Sequence, residues 1–369
     1  MLFVGLAVVA TVQRGVVTRT HATFPIFRQS FPHLIGGQDL YGRYPAEQGI
    51  EARDRFKYSP TAALLFAPFS AVPFVLGLLL WTLLNALALY KSVERLFPGS
   101  DAVAALAIVF PALIAAVQST SSNGLIAALM VASFLAIERG RMVRAGAAIA
   151  AGALMKLYPA AALPFVLAQP NRRRALGVVS LVAATLVVAP LLVVTPAQLW
   201  AQYRSWAAVL FADAGDLTFA RSIMVVIRSV VGFHVENWWF QAVATMVLVT
   251  PLASRRDAWK EAGFRRTFLA SLLIYVVIFN HQAENSSYVI AAVGLAVWFL
   301  SGPRTWPRIA LLIACMAGLE AVPYFIVWLW LQFDLLEGAR FIAWIRAQVP
   351  ERADAVPEPS ALAADVVEA

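Results

Sequence analysis

Apolar runs broken by short polar connectors set the pattern of this chain. They predict membrane-spanning helices near residues 2–13, 60–90, 102–118, 122–138, 172–193, 236–253, 264–280, 286–301 and 306–331. The stretch 143–169 fits less simply: it is too short for two full spans, yet arginines flank both ends, and Pro159 in "MKLYPA" disfavours helix at Tyr158. Two half-length helices meeting near Lys156–Pro159 solve this geometry. Non-helical backbone at membrane depth is tolerated where protein or a water-filled cavity surrounds it. Residues 60–90 contain Pro68 and Pro73 and are expected to form a broken helix too.

Two segments intersperse apolar and polar residues, "FPIFRQSFPHLIGG" (24–37) and "AQLWAQYRSWAAVLF" (197–211). Both predict short amphipathic helices lying on the membrane surface. The start, "MLFVGLAVVATVQRG", lacks a basic n-region and a clear cleavage site, and reads as a short first span. The end, "PERADAVPEPSALAADVVEA", has no periodicity and is expected to be a disordered tail over 350–369, behind one integral membrane body over 1–349.

Composition changes this picture only by making it firmer. The chain is 61% hydrophobic and 14% charged, with a mean hydropathy of +0.73. A water-soluble protein of 369 residues cannot hide that much apolar surface, so lipid covers part of it. The expected fold class is all-α and polytopic, with roughly ten spans of about 20 residues. Cys315 is the single cysteine, which excludes a disulfide framework and a cysteine metal site.

Charge then orients the spans. Arginines crowd the connectors at Arg139–Arg144, Arg172–Arg174, "SRRDAWKEAGFRR" (254–266) and Arg304–Arg308, which reads as cytoplasmic loops and not as a nucleic-acid patch. Residues 14–59, 118–123, 194–235 and 280–286 then share the opposite face. The seven basic residues within 14–59 run against the rule, but a loop that long is weakly governed by it.

That opposite face gathers the unusual polar residues: Arg28, Asp39, Glu47, Lys57 and Tyr58 from the first long loop, Gln118 and Asn123 around "QSTSSN", and His281 and Glu284 from "NHQAENSS". Lys156 and Tyr158 reach it from the broken hairpin. Ionisable groups near membrane depth are costly and usually functional. Plainer readings stand beside this one. Asp39 also suits a turn cap after two glycines, Arg28 and Lys57 suit snorkelling to headgroups, and "NHQAENSS" suits an ordinary polar hairpin. Lys156 is harder to explain so, since "AGALMKLYPAAALPF" holds no acidic neighbour. No H-x-x-x-H or H-x-x-H pair and no glycine-rich nucleotide loop occur, so neither a protein-ligated zinc nor a cytosolic nucleotide site is expected.

Three stretches carry a family resemblance. "QDLY…FKYSPTAALLFAPFSAVPFVLGLLLWTLLNALALY" (38–90), "QSTSSNGLIAALMVASFLAIERGRMVRAGAAIAAGALMKLYPAAALPFVL" (118–167) and "FNHQAENSSYVIA" (279–291) together resemble the membrane proteins of glycosyltransferase family 87. The resemblance implies a helical bundle of the GT-C type with an active site on the extracytoplasmic face of a bacterial inner membrane. It implies a polyprenyl-phosphate-linked sugar as donor, a hexose, mannose-like, or a pentose, a glycan or glycolipid as acceptor, and inversion at the anomeric carbon. It implies no cofactor, with assistance by a divalent cation left open, and partners limited to these substrates and membrane lipid.

Such chemistry needs cations for the departing phosphate and a base for the incoming hydroxyl. Lys156, Lys57 and Arg28 are the candidate cations, Tyr58 and Tyr158 the hydrogen-bond donors, and Gln118 and Asn123 further substrate contacts. The chain departs from the family where an aspartate commonly follows the first span: "THATFPIFRQSF" carries none, and no carboxylate occurs from Arg14 to Gln38. Glu284 with His281 beside it is therefore the first choice of base, then Asp39 and Glu47. A lipid-linked-glycan flippase or a secondary transporter is the alternative, since broken helices and intramembrane ionisable residues also mark carriers.

Overall fold

Proline and glycine decide where the apolar runs stop being helix. The structure, a computed structural model, describes residues 1–18, 23–44, 55–213, 221–232, 236–319 and 321–337, and every regular element among the described residues is helical. The first run forms α1 (Leu2–Val12), which closes in a π-helical turn, Gln13–Val17. Residues 60–90 break as the prolines predict, into α3 (Pro60–Leu65), α4 (Ala67–Ser70) and the long α5 (Phe74–Leu96). The Ser59 hydroxyl accepts the Ala62 N–H at 3.3 Å and Pro60 opens α3, while Pro73 immediately precedes α5. Proline is tolerated there because a helix's first N–H groups have no internal partner.

α6 (Ser100–Gln118), α7 (Asn123–Glu138) and α8 (Met142–Met155) follow. α8 ends at Lys156, whose φ of −143° and ψ of 133° are extended. The chain then makes a 3-10 turn, Tyr158–Ala162, and the short α9 (Leu163–Leu167). This is the expected broken hairpin, and Gly152 lets it close: a Cβ there would sit 2.7 Å from Pro159 Cγ.

Both expected amphipathic helices form, as α2 (Phe24–Ile35) and α11 (Pro196–Ala212), the latter opened by a Thr195–Gln198 capping box. α2 packs on protein, with Phe27 stacked against Tyr58 and Phe66 at 5.1 and 4.9 Å. The chain continues through α10 (Arg172–Val188), α12 (Ile223–Val231), α13 (Asn237–Ser254), α14 (Ala262–Ile278) and α15 (Tyr288–Leu300). α12 was not expected, since its connector shows no long apolar run. α15 is the axis, buried at every residue from Tyr288 to Trp298. Gly294 lets α14 approach it so closely that a Cβ would lie 2.6 Å from the Ala270 carbonyl oxygen.

One expected span is two helices. Residues 306–331 divide into α16 (Trp306–Met316) and α17 (Ala321–Leu335). Gly318, at φ +79°, supplies the left-handed conformation that ends a helix, and apolar residues on both sides hid the turn from the sequence pattern. α17 returns to the end where α16 began, since the Arg308 guanidinium lies 5.7 Å from the Trp330 ring.

α5, α6 and α10 together with the 3-10 turn that continues it, Ala189–Leu192, are long and apolar enough to cross a membrane, and several shorter apolar helices pack among them. α13 presents Trp238, Trp239, Val243, Met246 and Val249 outward. Apolar faces this broad are unfavourable in water and belong in hydrocarbon, so the chain is a polytopic helical membrane protein. Its basic connectors meet at one end of the bundle. There Arg265 grips Glu138 through two bonds of 2.7 and 2.8 Å, and Arg266 donates to the Leu96 carbonyl at 2.8 Å.

Candidate active site

The other end holds a cavity of about 300 Å³. Its walls come from the connectors that charge alone placed on a common face. Lys57 and Tyr58 precede α3, Ser121 follows α6, Trp206 and Asp213 come from α11 and its end, and Asn280 to Glu284 follow α14. The break after α8 adds Lys156 and Tyr158.

Lys156 stands at the head of a hydrogen-bonded chain. Its Nζ donates to Asn123 Oδ1 at 2.7 Å, Asn123 Nδ2 donates to Ser286 Oγ at 2.9 Å, and Ser286 Oγ donates to Glu284 Oε2 at 3.1 Å. Every bond points the same way, from cation to carboxylate. Asn123 is fully buried at the start of α7 and Ser286 is buried too, so neither link is exchanged freely for water. Glu284 itself is exposed to the cavity mouth, where its carboxylate also caps the short turn that opens α15. Beside it, Tyr158 OH accepts from Asn280 Nδ2 at 2.7 Å, and Gln241 Nε2 lies 3.4 Å from His281 Nδ1.

A second charged group faces this chain. Asp213 binds Arg55 Nη2 at 3.0 Å through Oδ1 and Lys57 Nζ at 3.1 Å through Oδ2. Partial burial pushes the Asp213 carboxyl up, but the hydrogen bond and charge of Lys57, then those of Arg55, hold it below the usual carboxylate range. Trp206 Nε1 donates to the Lys57 carbonyl at 2.9 Å and fixes the strand of chain that carries it. Tyr58 OH meets Ser122 Oγ at 2.5 Å, and its carbonyl accepts from Tyr41 OH at 2.8 Å.

Of the residues expected from sequence, Lys57, Tyr58, Lys156, Tyr158, His281 and Glu284 line the cavity. Asn123 stands one layer behind, holding Lys156. The structure places the others elsewhere. Arg28 spans the α4–α5 break, donating to the Val72 carbonyl at 3.1 Å with Phe74 6.0 Å away. Asp39 caps a turn through the Tyr41 N–H at 3.3 Å, and Gln202 fixes that turn by accepting from Leu40 N at 3.0 Å. Gln118 ends α6 away from the cavity wall. Glu47 and the tail 350–369 lie outside the described residues.

Asp213 and Arg55 were missed, although a signal existed. Asp213 follows the last apolar turn of an amphipathic helix whose connector was already assigned to this face. Among the described residues no group of three His, Cys, Asp or Glu side chains gathers to hold a metal ion.

With this geometry in place, two similarities bear on its chemistry. The model of the family described as glycosyltransferase family 87 matches residues 56–280, more than half of the chain. A polyprenol-phosphate-mannose-dependent alpha-(1-2)-phosphatidylinositol pentamannoside mannosyltransferase of Mycobacterium tuberculosis (strain CDC 1551 / Oshkosh) is 28% identical over 280 residues, 72% of this chain. The match spans 62% of that relative's own length. The family match takes in Lys57, Asn123, Lys156, Tyr158 and Asp213, and it stops just before His281.

Proposed function

Because the chain belongs to glycosyltransferase family 87, we propose that it transfers a sugar from a polyprenyl-phosphate donor to a glycan or glycolipid acceptor, with inversion, inside this cavity. One observation carries the reading: a carboxylate, Glu284, is joined by aligned hydrogen bonds to a cation, Lys156, within one concavity. A volume of about 300 Å³ suits a sugar phosphate and leaves a polyprenyl tail in lipid.

The reaction breaks the bond between the anomeric carbon and the phosphate oxygen. Negative charge grows on that oxygen, and Lys156 and Lys57, with Tyr58 and Tyr158 as donors, stabilise it. The acceptor hydroxyl attacks the opposite face of the anomeric carbon and passes its proton to Glu284. The product is the inverted glycoside and the free polyprenyl phosphate. Asp213 is the weaker choice of base: two cations hold it ionised and lower its affinity for a proton. Its work in this scheme is to aim Lys57 and Arg55. His281, beside Glu284 in the same turn, orients the acceptor. The basic connectors at the far end support a cytoplasmic position for that end by the positive-inside rule, and in this reading the cavity opens on the extracytoplasmic side of the inner membrane.

The test uses the protein purified into lipid nanodiscs with synthetic polyprenyl-phosphate mannose, glucose and arabinofuranose. Release of polyprenyl phosphate from one of these in the presence of a glycolipid acceptor is the expected result, with mannose the first candidate. Failure to bind any lipid-linked sugar would overturn the reading.

A further inference from the structure

At the end of the bundle opposite the cavity, α16, α17 and the end of α15 enclose a second concavity of about 350 Å³. Arg308 lines it and is only 4% exposed. Its guanidinium carbon lies 4.3 Å from the Trp298 ring and 5.7 Å from the Trp330 ring, and Nη2 donates to the Trp298 carbonyl. Gly302 makes room for it, since a Cβ at that position would stand 2.5 Å from the guanidinium carbon.

This cation has a counter-charge only through space, from Asp334 across the same concavity. No carboxylate forms an ion pair with Arg308 among the described residues, and its Nε is buried with no hydrogen-bond partner. Asp334 lines the same concavity without pairing with it. Two aromatic faces offset part of the cost of burying a guanidinium, but they supply no acceptor for its N–H groups. A second orphan lies alongside: Trp298, 2% exposed, has an Nε1 with no acceptor. A third set of donors belongs to α16. Its N-cap, Thr305, lines the concavity and makes no side-chain capping bond, so the backbone N–H groups of Trp306 and Arg308, on either side of Pro307, receive no cap from it.

A guanidinium whose Nε has no acceptor, an indole N–H without one and a helix start without a side-chain cap are three donor sets that share one need. We propose that this concavity binds a phosphate-type oxyanion, free or carried by a phospholipid headgroup, at the end of the bundle remote from the sugar-transfer cavity. Trp306, 82% exposed at the first position of α16, suits the interfacial depth at which headgroups lie.

The experiment uses the full chain in phosphatidylcholine nanodiscs, with phosphatidylglycerol or inorganic phosphate titrated in. Thermal unfolding and retention of bound lipid in native mass spectrometry are the readouts. Wild type is expected to gain unfolding temperature from one of the two probes; a response to inorganic phosphate identifies a free anion, and a response to phosphatidylglycerol alone identifies a headgroup. Arg308→Gln is expected to weaken that binding about tenfold. Asp334→Asn, which removes the like charge, is expected to tighten it several-fold. If Arg308→Gln does not fold, Asp334→Asn decides alone. A wild type indifferent to both probes, or an Asp334→Asn variant that binds no more tightly than wild type, would overturn the proposal.

Discussion

Lys156 and Arg308 hold similar positions at opposite ends of the bundle, each set against aromatic rings, at 5.8 Å from Tyr158 and 4.3 Å from Trp298. Their partners differ. Lys156 is tied through Asn123 and Ser286 to a carboxylate on the same wall. Arg308 has one backbone carbonyl and no carboxylate within ion-pair reach among the described residues. A cation whose protein partners are already in place is ready to act on a reacting group, because its position is fixed before substrate arrives. A buried cation whose carboxylate neighbour, Asp334, stays out of ion-pair reach keeps N–H groups to offer an anion from outside. The difference between the two cations is thus one of partners: Lys156 is half-buried and tied into a hydrogen-bonded chain, and Arg308 is buried with an Nε that no acceptor meets.

The sharpest way to break this contrast is to remove the carboxylate. Glu284→Gln is expected to cut turnover by about 10²–10⁴-fold while donor affinity changes little, since the base acts in the transition state. Polyprenyl phosphate release, measured beside donor binding, separates the two. Next in size is Asn123→Ala, which leaves Lys156 Nζ and Ser286 Oγ without their shared partner. Turnover should fall about 10–100-fold, with a loss of about 0.5–1.5 kcal/mol in stability for each of the two hydrogen bonds removed. Denaturation and initial rates on one preparation check both.

Two glycines separate placement from packing. In Gly152→Ala the new Cβ meets Pro159 Cγ at 2.7 Å, which pushes the 156–159 turn, and about tenfold of activity is expected to go with it. In Gly294→Ala the Cβ meets the Ala270 carbonyl oxygen at 2.6 Å between α14 and α15. There a loss of about 1–3 kcal/mol in stability is expected, with donor affinity unchanged.

The smallest effect belongs to Asp213→Asn. Its ion pairs are partly exposed, so the stability at stake is below about 1 kcal/mol. Pairing holds the Asp213 carboxyl below its ordinary value of 3.8, so its stabilisation is complete above that value and is lost as pH falls through the lowered one. The gap between wild type and Asp213→Asn in unfolding temperature should therefore be present near neutral pH and close as pH falls below 3.8 through the lowered value.

The positions of Pro73 and Pro159 were enough to predict both helix breaks, because proline excludes helix by local sterics alone. Charge in the connectors was enough to bring Lys57, Lys156, His281 and Glu284 to one face. The turn at Gly318 was not legible, since "CMAGL" carries no polar signal and a lone glycine inside an apolar run is common in spans. Arg28 and Asp39 looked functional because a polar residue in such a chain has few expected partners. Their partners turned out to be backbone groups, the Val72 carbonyl and the Tyr41 N–H, which sequence does not reveal. Asp213 was hidden differently, behind a pairing with Lys57 and Arg55 that only the fold creates.

The most direct test of the central claim is a double-mutant cycle on Lys156→Ala and Glu284→Gln, read as turnover of a polyprenyl-phosphate sugar. If cation and carboxylate serve one reaction through Asn123 and Ser286, each single variant loses at least about 10²-fold and the double variant is scarcely worse than the weaker single. Losses that multiply in full, or a single variant that turns over at the wild-type rate, would contradict it.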